Sequence, residues 1–433
     1  MNHLKHRLPL QLATRRGVLQ ASVATTLSGL MGHSVSRVFG GEDAAGAATN
    51  EKSIVLLWLE GGPFQHDSFD PKDESNDTTK FKYKPRETSA DGLRFSESLP
   101  LLCEQAHHIA VIRSMIGNEM EHNLAQYHAQ TGWRNTGPIS APAMGSIVAH
   151  EMGMTPMTRA NPDGLPPFVS IGRKGYSSGH FGPAYLPTVV WDPNQLPENL
   201  GLPKGVDKTT FDQRLAMLNA IESGKSQSRT RKFFDGGRAN AVKFMRSSKL
   251  AAFDLSQEPE AVRAAYGDSR FGRGCLLARR LVESGVRFIQ VGSESYDQHS
   301  GHHPRQDELF KRLDRGMSQL IKELDERGLL ENTLILAVGE FGRTPHMNPS
   351  DGRDHWIDCY SAALAGGGVK GGISYGATTK FSGEVSDNPV TIPDLMSTVF
   401  TAVGIDPHKE YNDQFNRPIK LVDEGNPVED ILA

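Results

Sequence analysis

Carboxylates and histidines in this chain collect just after short apolar runs. Glu60, His66, Asp67 and Asp70 follow the run 53–59, and Glu119, Glu121 and His122 follow the run 109–112. Glu294, Asp297, His299, His302 and His303 come after the run 286–291. Glu340 and Arg343 come after the run 333–338, with Gly352-Arg353-Asp354-His355-Trp356 a little further on. Oxygen and imidazole donors in mixture suit zinc, manganese or iron better than an ion that takes oxygen alone. Asp297 and His299, two residues apart, fall on one side of an extended segment. Taken singly, each group also fits a solvated loop, a surface turn or an acid at a helix N-terminus. Their recurrence after four of these runs is what points to one shared site.

The runs themselves say how that sharing could arise. They are short, apolar and bounded by breakers such as Gly61-Gly62-Pro63, as buried strands are, and Phe168–Ile171 is another. Helical patterns fall between them. Ser140 is expected to cap a helix through Met152, and 271–284 is amphipathic and stops at Gly285. Leu309, Leu313, Met317, Leu320, Ile321 and Leu324 recur at spacings of three and four, up to Gly328. Pro393 stands at a helix first turn with Gly404 past its end. Strands alternating with helices predict an α/β fold of three layers, a mostly parallel central sheet with helices on both faces. Ligands in such a sheet bind beyond the carboxyl ends of the strands, where the carboxylates and histidines gather. The stretch 172–229 breaks the rhythm and reads as an irregular insertion over the sheet's edge, a segment of the kind used for lids and binding loops.

Composition sets the outer limits. The 433 residues carry a net charge of −4, which argues against nucleic acid as the main partner. Three cysteines, Cys103, Cys275 and Cys359, are too few for a disulfide framework and share no metal-ligand spacing. Residues 1–47 read as a leader: a basic start, Arg15-Arg16 followed by Val18-Leu19, then no charged side chain from Gly17 to Ser36. That uncharged run is too polar for a membrane span. It fits a twin-arginine signal, with Val38-Phe39-Gly40 or Ala45-Gly46-Ala47 at the cleavage region. The chain is therefore expected to be exported to the periplasm or beyond, with the twin-arginine translocase as a transient partner and no permanent membrane anchor. Residues 48–433 form the mature α/β domain.

Four motifs carry a family resemblance: Trp58-Leu59-Glu60-Gly61-Gly62-Pro63, Phe69-Asp70-Pro71-Lys72, 339–345 (GEFGRTP) and 352–356 (GRDHW). The chain resembles the family called domain of unknown function 1501, within the alkaline phosphatase-like superfamily that includes sulfatases. The resemblance implies a metal site built from Asp67, with Glu60 as a rival, Asp297 and His299, with His302 and His303 as alternatives, Glu340 and His355. Where the superfamily has Asp-His-Gly this chain has Glu340-Phe341-Gly342, so one histidine is missing, and Asp354 is a candidate for its place. Where the superfamily keeps a hydroxyl or thiol nucleophile at a helix start, this chain has His122 and Asn123. His122 is thus the expected catalytic residue, as nucleophile or as acid and base. Arg343 and Arg353 are expected to grip an anionic group, because a guanidinium fork matches phosphate or sulfate.

The expected function is that of an exported hydrolase of phosphate or sulfate esters, dependent on a divalent metal such as zinc or manganese. Its substrate would be an anionic ester, a sulfated or phosphorylated glycan among them. The alternative is a metal-containing binding or scaffold protein without turnover. A nucleotide-binding domain of the G-x-G-x-x-G type is excluded, because no such motif follows the first strand.

Overall fold

A computed structural model of the chain describes residues 52–433, apart from 136, 138–139, 153–163, 198–199, 201, 203, 224–237, 239–240 and 414–415. The leader 1–47 lies outside the described residues, as do the side chains of His302 and His303. Eight strands make the central sheet: β1 (Ser53–Trp58), β2 (Ile109–Met115), β3 (Phe168–Ile171), β4 (Thr188–Val190), β5 (Phe288–Gly292), β6 (Thr333–Val338), β7 (Tyr360–Ala365) and β8 (Ile373–Tyr375). Their order across the sheet is β8-β2-β7-β6-β1-β5-β3-β4. Neighbours are parallel except that β7 runs against both β2 and β6.

β1 is central because every residue in it is buried. Its side chains alternate between the faces of the sheet. Val55 and Leu57 point into one core with Leu276, Leu313 and Met317. Ile54, Leu56 and Trp58 point into the other, with Ile147, Leu395 and Val399. Removing each such side chain from water is worth about 1.5–3 kcal/mol.

The helices that cover the sheet follow their sequence signals closely. The helix α1 (His122–Thr131) is capped by the Glu121 side chain, which accepts from Leu124 N–H at 3.0 Å, and ends at Gly132 with φ +71°. α2 (Met144–Glu151) starts later than expected, at Ala143, so Ser140 does not cap it. α3 (Arg270–Ser284) is capped by Ser269 and stopped by Gly285 at φ +95°. α4 (His302–Glu326) carries the buried Leu309–Leu324 stripe. α5 (Ile392–Ala402) opens with a capping box between Thr391 and Asp394. Among the described residues no helix is long and apolar enough to cross a membrane. Cys103, Cys275 and Cys359 are buried free thiols.

The stretch 172–229 is less irregular than its composition suggests. It supplies the edge strand β4, paired in parallel with β3, and a helix Lys208–Ser223. Three β residues framed by Pro187 and Pro193 are too short a signal to stand out against so much Gly and Pro.

α1 buries His128, which is 2 % exposed, on the face opposite solvent. Burial pushes its imidazole down from the ordinary value to about 4, with Arg134 adding a smaller repulsion. The unfolded chain binds this proton more tightly than the folded one. Stability from this group is therefore complete above about pH 6.5 and is lost as pH falls from 6.5 toward 4. His128→Phe should flatten that part of the stability–pH curve by up to roughly 3 kcal/mol. The check is urea unfolding from pH 4 to 7, and an unchanged slope would contradict it.

Candidate metal-ligand cluster at the carboxyl edge of the sheet

The loops leaving β1, β5 and β6 stay together after the strands end. Ser293 N–H donates to Trp58 C=O at 2.9 Å and Tyr296 N–H to Glu60 C=O at 2.7 Å, so the segment after β5 runs on beside the one after β1. The buried Tyr296 anchors this segment against Phe310 of α4, with ring centroids 5.8 Å apart. Asp297 follows it into the open. Gly61 makes the approach feasible: at φ +87°, a Cβ there would lie 2.6 Å from Asp297 N.

His355 arrives on a two-stranded ribbon in which it pairs with Arg343. His299 is tied to the same ribbon, because Arg353 N–H donates to Gln298 C=O at 3.0 Å and Asn348 Nδ2 to His299 C=O at 3.0 Å.

Three imidazoles meet one carboxylate here. His299 Nε2 is 3.0 Å and His355 Nε2 is 3.2 Å from Asp297 Oδ1, and His122 Nε2 is 3.2 Å from Asp297 Oδ2. The Nε2 atoms of His299 and His355 are 3.2 Å apart. Behind the rings, each Nδ1 faces a group that can only accept. His122 Nδ1 donates to Glu340 at 2.8 Å, His299 Nδ1 to Asp354 at 2.6 Å and His355 Nδ1 to Met120 C=O at 2.6 Å. That fixes the proton on Nδ1 in each neutral ring and leaves each Nε2 with a lone pair aimed inward.

Lone pairs converging on a carboxylate repel unless a cation lies among them. Protons cannot fully substitute, because two N–H groups cannot point at each other across the 3.2 Å between His299 and His355. An inward Nε2 with its outer N–H held by carboxylate or carbonyl is how histidine metal ligands are oriented. The residues therefore fit a divalent ion. His122, Asp297 and His355 offer atoms within 4.8 Å of one another, and His299 adjoins them.

The electrostatics of the cluster match its geometry. Burial raises the cost of charging Asp297, but Arg343, donating at 2.5 Å, outweighs it, and His355 and His299 add to this, so the carboxyl stays well below the usual range. The hydrogen bond to Glu340 raises the His122 imidazole, whereas burial lowers that of His355.

Several residues fall elsewhere than the sequence suggested. Glu340 stands one shell out. Its oxygens accept from Gly61 N–H at 3.0 and 3.1 Å, from His122, and from Gln126 Nε2 at 3.1 Å. Asp67 is fully buried beside His66, 3.8 Å away, in the field of Arg353, and is not among the side chains that meet. Arg343 and Arg353 are both 0 % exposed, so neither faces an incoming anion. Arg343 donates to the carbonyls of Gly61, Gly62 and Arg353 and to Asp297. Arg353 donates to the carbonyls of Thr344, Pro345 and Thr79. They brace the loops that carry the cluster. Asn123 is exposed, its amide on the capping Glu121.

Two contributors escaped the sequence reading. Gln126 lies one turn after His122 on the same helix face, a spacing that would have paired them. Phe341 is the floor of the cluster: its buried ring stacks on His355 at 4.3 Å and lies 5.1 Å from His122.

The fold and site together define an α/β protein with a candidate metal centre at the carboxyl edge of a mostly parallel sheet. The chain belongs to the family described as protein of unknown function (DUF1501), whose model matches residues 51–432. No curated protein matches it. Among solved structures it is similar to the lipoteichoic acid synthase LtaP from Listeria monocytogenes, at 12% identity over 87% of this chain and 76% of that one, with a TM-score of 0.37. It is also similar to a sulfatase from Pseudoalteromonas sp., at 12% identity over 88% and 72%, TM-score 0.39. A phosphonate monoester hydrolase from Silicibacter pomeroyi matches at 14% identity over 77% and 71%, TM-score 0.30.

Proposed function

We propose that the protein is an exported, metal-dependent hydrolase of phosphate or sulfate esters, with His122, Asp297, His299 and His355 holding a divalent ion. The observation that carries the metal assignment is the inward turn of three Nε2 atoms onto Asp297 while each Nδ1 is held from behind. The ester chemistry rests on the motif resemblance to the alkaline phosphatase-like superfamily. Export rests on the sequence of residues 1–47.

When bound, such an ion supplies Lewis acidity and lowers the pKa of water toward neutrality. The chain's own residues do the positioning. Glu340 holds His122 in its tautomer and ties it to the loop after β1. Asp354 fixes the tautomer of His299, and Met120 C=O that of His355. Phe341 screens the inner side of the cluster from water.

The decisive experiment is elemental analysis of the purified protein, followed by phosphate and sulfate ester panels on the metal-loaded form. The protein is expected to retain about one divalent ion per chain or more and to turn over at least one ester class. His355→Ala should lose both the metal and the activity. Metal-free protein that cannot be loaded would refute the metal assignment.

The binding-protein reading is favoured by one specific observation. By the resemblance His122 and Asn123 stand where the superfamily keeps its nucleophile, yet His122 Nδ1 is held by Glu340 and its Nε2 is turned into the ligand cluster beside Asp297. Loaded protein that turns over no ester would establish that second reading.

A further inference from the structure

Arg173 follows β3 by two residues and folds back across the carboxyl ends of the central strands. Its aliphatic stem lies on Gly292, the last residue of β5, where a Cβ would meet Arg173 Cγ and Cδ at 3.0 Å. Its guanidinium sits 5.3 Å from the ring centroid of Trp58, the last residue of β1. Thus the backbone of one strand end and the indole of another fix where the charge stands.

The guanidinium is under-used there. The side chain is only 11% exposed, yet among the described residues Nε has no hydrogen-bond partner, and Nη1 reaches Glu60 only at 3.6 Å. Nη2 makes a long contact of 3.5 Å to Gln126 Oε1, an oxygen that already accepts from Tyr176 Oη at 3.1 Å. A buried guanidinium with unmade hydrogen bonds is costly unless an acceptor arrives. On one side, Gln126 links it to Glu340 and so to His122. On the other lies an open depression of about 650 Å³ lined by Arg173, Lys174, Tyr176, Leu186, Pro187 and Val189. That size falls in the range of small-molecule sites.

We propose that Arg173 grips the substrate's oxyanion beside the imidazole cluster, while the depression receives the alcohol part of the ester. The substrate class is then a phosphate or sulfate monoester of a ring-sized alcohol with apolar faces, matched to Tyr176, Leu186 and Pro187. This rests on the ester-hydrolase reading above. It assigns to Arg173 the task that the buried Arg343 and Arg353 are not placed to perform.

The test is titration calorimetry of the metal-loaded protein with inorganic phosphate and with sulfate, alongside metal content and thermal melting. Arg173→Gln should keep its metal and weaken oxyanion binding roughly 10–100-fold, the loss of a charge-assisted pair. Arg173→Lys should recover part of that affinity. Gly292→Ala, which presses on the stem without touching the charge, should weaken binding in the same direction and serves if Arg173→Gln melts early. Wild-type affinity in both Arg173→Gln and Gly292→Ala would overturn the assignment and leave the ester-hydrolase reading standing. Loaded wild-type protein that neither binds an oxyanion nor turns over an ester would overturn both.

Discussion

Asp297→Ala is expected to empty the cluster and to destabilise the fold at once. Asp297 is the point on which three imidazoles converge, so its removal takes away the one carboxylate they share among the described residues. Loss of an outer partner alone typically costs 10–100-fold in metal affinity, and loss of Asp297 itself should cost at least that much. The second effect runs through Arg343, which is 0 % exposed and pairs with Asp297 at 2.5 Å. Asp297 is itself 31% exposed and Arg343 keeps three carbonyl acceptors, so the cost should fall below the roughly 3–5 kcal/mol typical of breaking a fully buried pair. Asp297→Asn separates the two effects. Its amide oxygen can still accept from Arg343, so most of the stability should return while the metal affinity stays low. Equilibrium metal titration and guanidinium unfolding on both variants read the two quantities independently. Wild-type metal affinity in Asp297→Asn would show that the carboxylate is no ligand.

The parts of this architecture that could be read in advance are those with strong local signals. β3 and β6 begin and end where their apolar runs do, and α3 ends at Gly285 as its C′ glycine requires. β7, Tyr360–Ala365, went unread because Ser, Ala and Leu carry no β preference, and only its place between β2 and β6 makes it a strand. The same division holds in the site. Asp297, His299, His355 and His122, with Glu340 behind them, are brought together in the structure, and the sequence placed each after a strand-like run or in a nearby loop. Their ranks were not legible. Whether a carboxylate touches a metal or steadies a ligand depends on about one ångström of loop geometry. Glu340 is drawn back by Gly61 N–H and Gln126, contacts that no spacing in the sequence announces. Arg343 and Arg353 illustrate the same limit, since an arginine in such a motif looks alike whether it faces solvent or carbonyl groups.

Gly62→Ala should be strongly disruptive although it changes no polar group. Gly62 has φ +77°, a conformation that costs an L-residue roughly 1–2 kcal/mol. The added methyl would also lie 2.5 Å from Phe341 C=O and 2.8 Å from Phe341 Cδ2. Neither neighbour has room to retreat. Phe341 is fully buried, and the backbone on either side of it is tied down: Gly339 has no space beside Leu59 C=O, where a Cβ would be 2.6 Å away, and Arg343 N–H donates to Gln65 Oε1 at 3.1 Å. Overpacking of this kind typically adds about 1–3 kcal/mol. A total loss of roughly 2–5 kcal/mol in unfolding free energy is therefore expected. The strain should also reach the chemistry, because the Phe341 ring is the surface on which His355 stacks and against which His122 rests. Displacing that ring by a few tenths of an ångström moves two inward-facing Nε2 atoms while leaving every ligand in the sequence. Metal affinity should fall along with stability, unlike in a core variant remote from the site and equally destabilised. Leu313→Ala in α4, buried on one face of the sheet, supplies that comparison. If Gly62→Ala and Leu313→Ala lose equal stability and bind metal equally well when folded, then Phe341 is only core, and the claim that backbone contact between the first and sixth strand ends tunes the cluster fails.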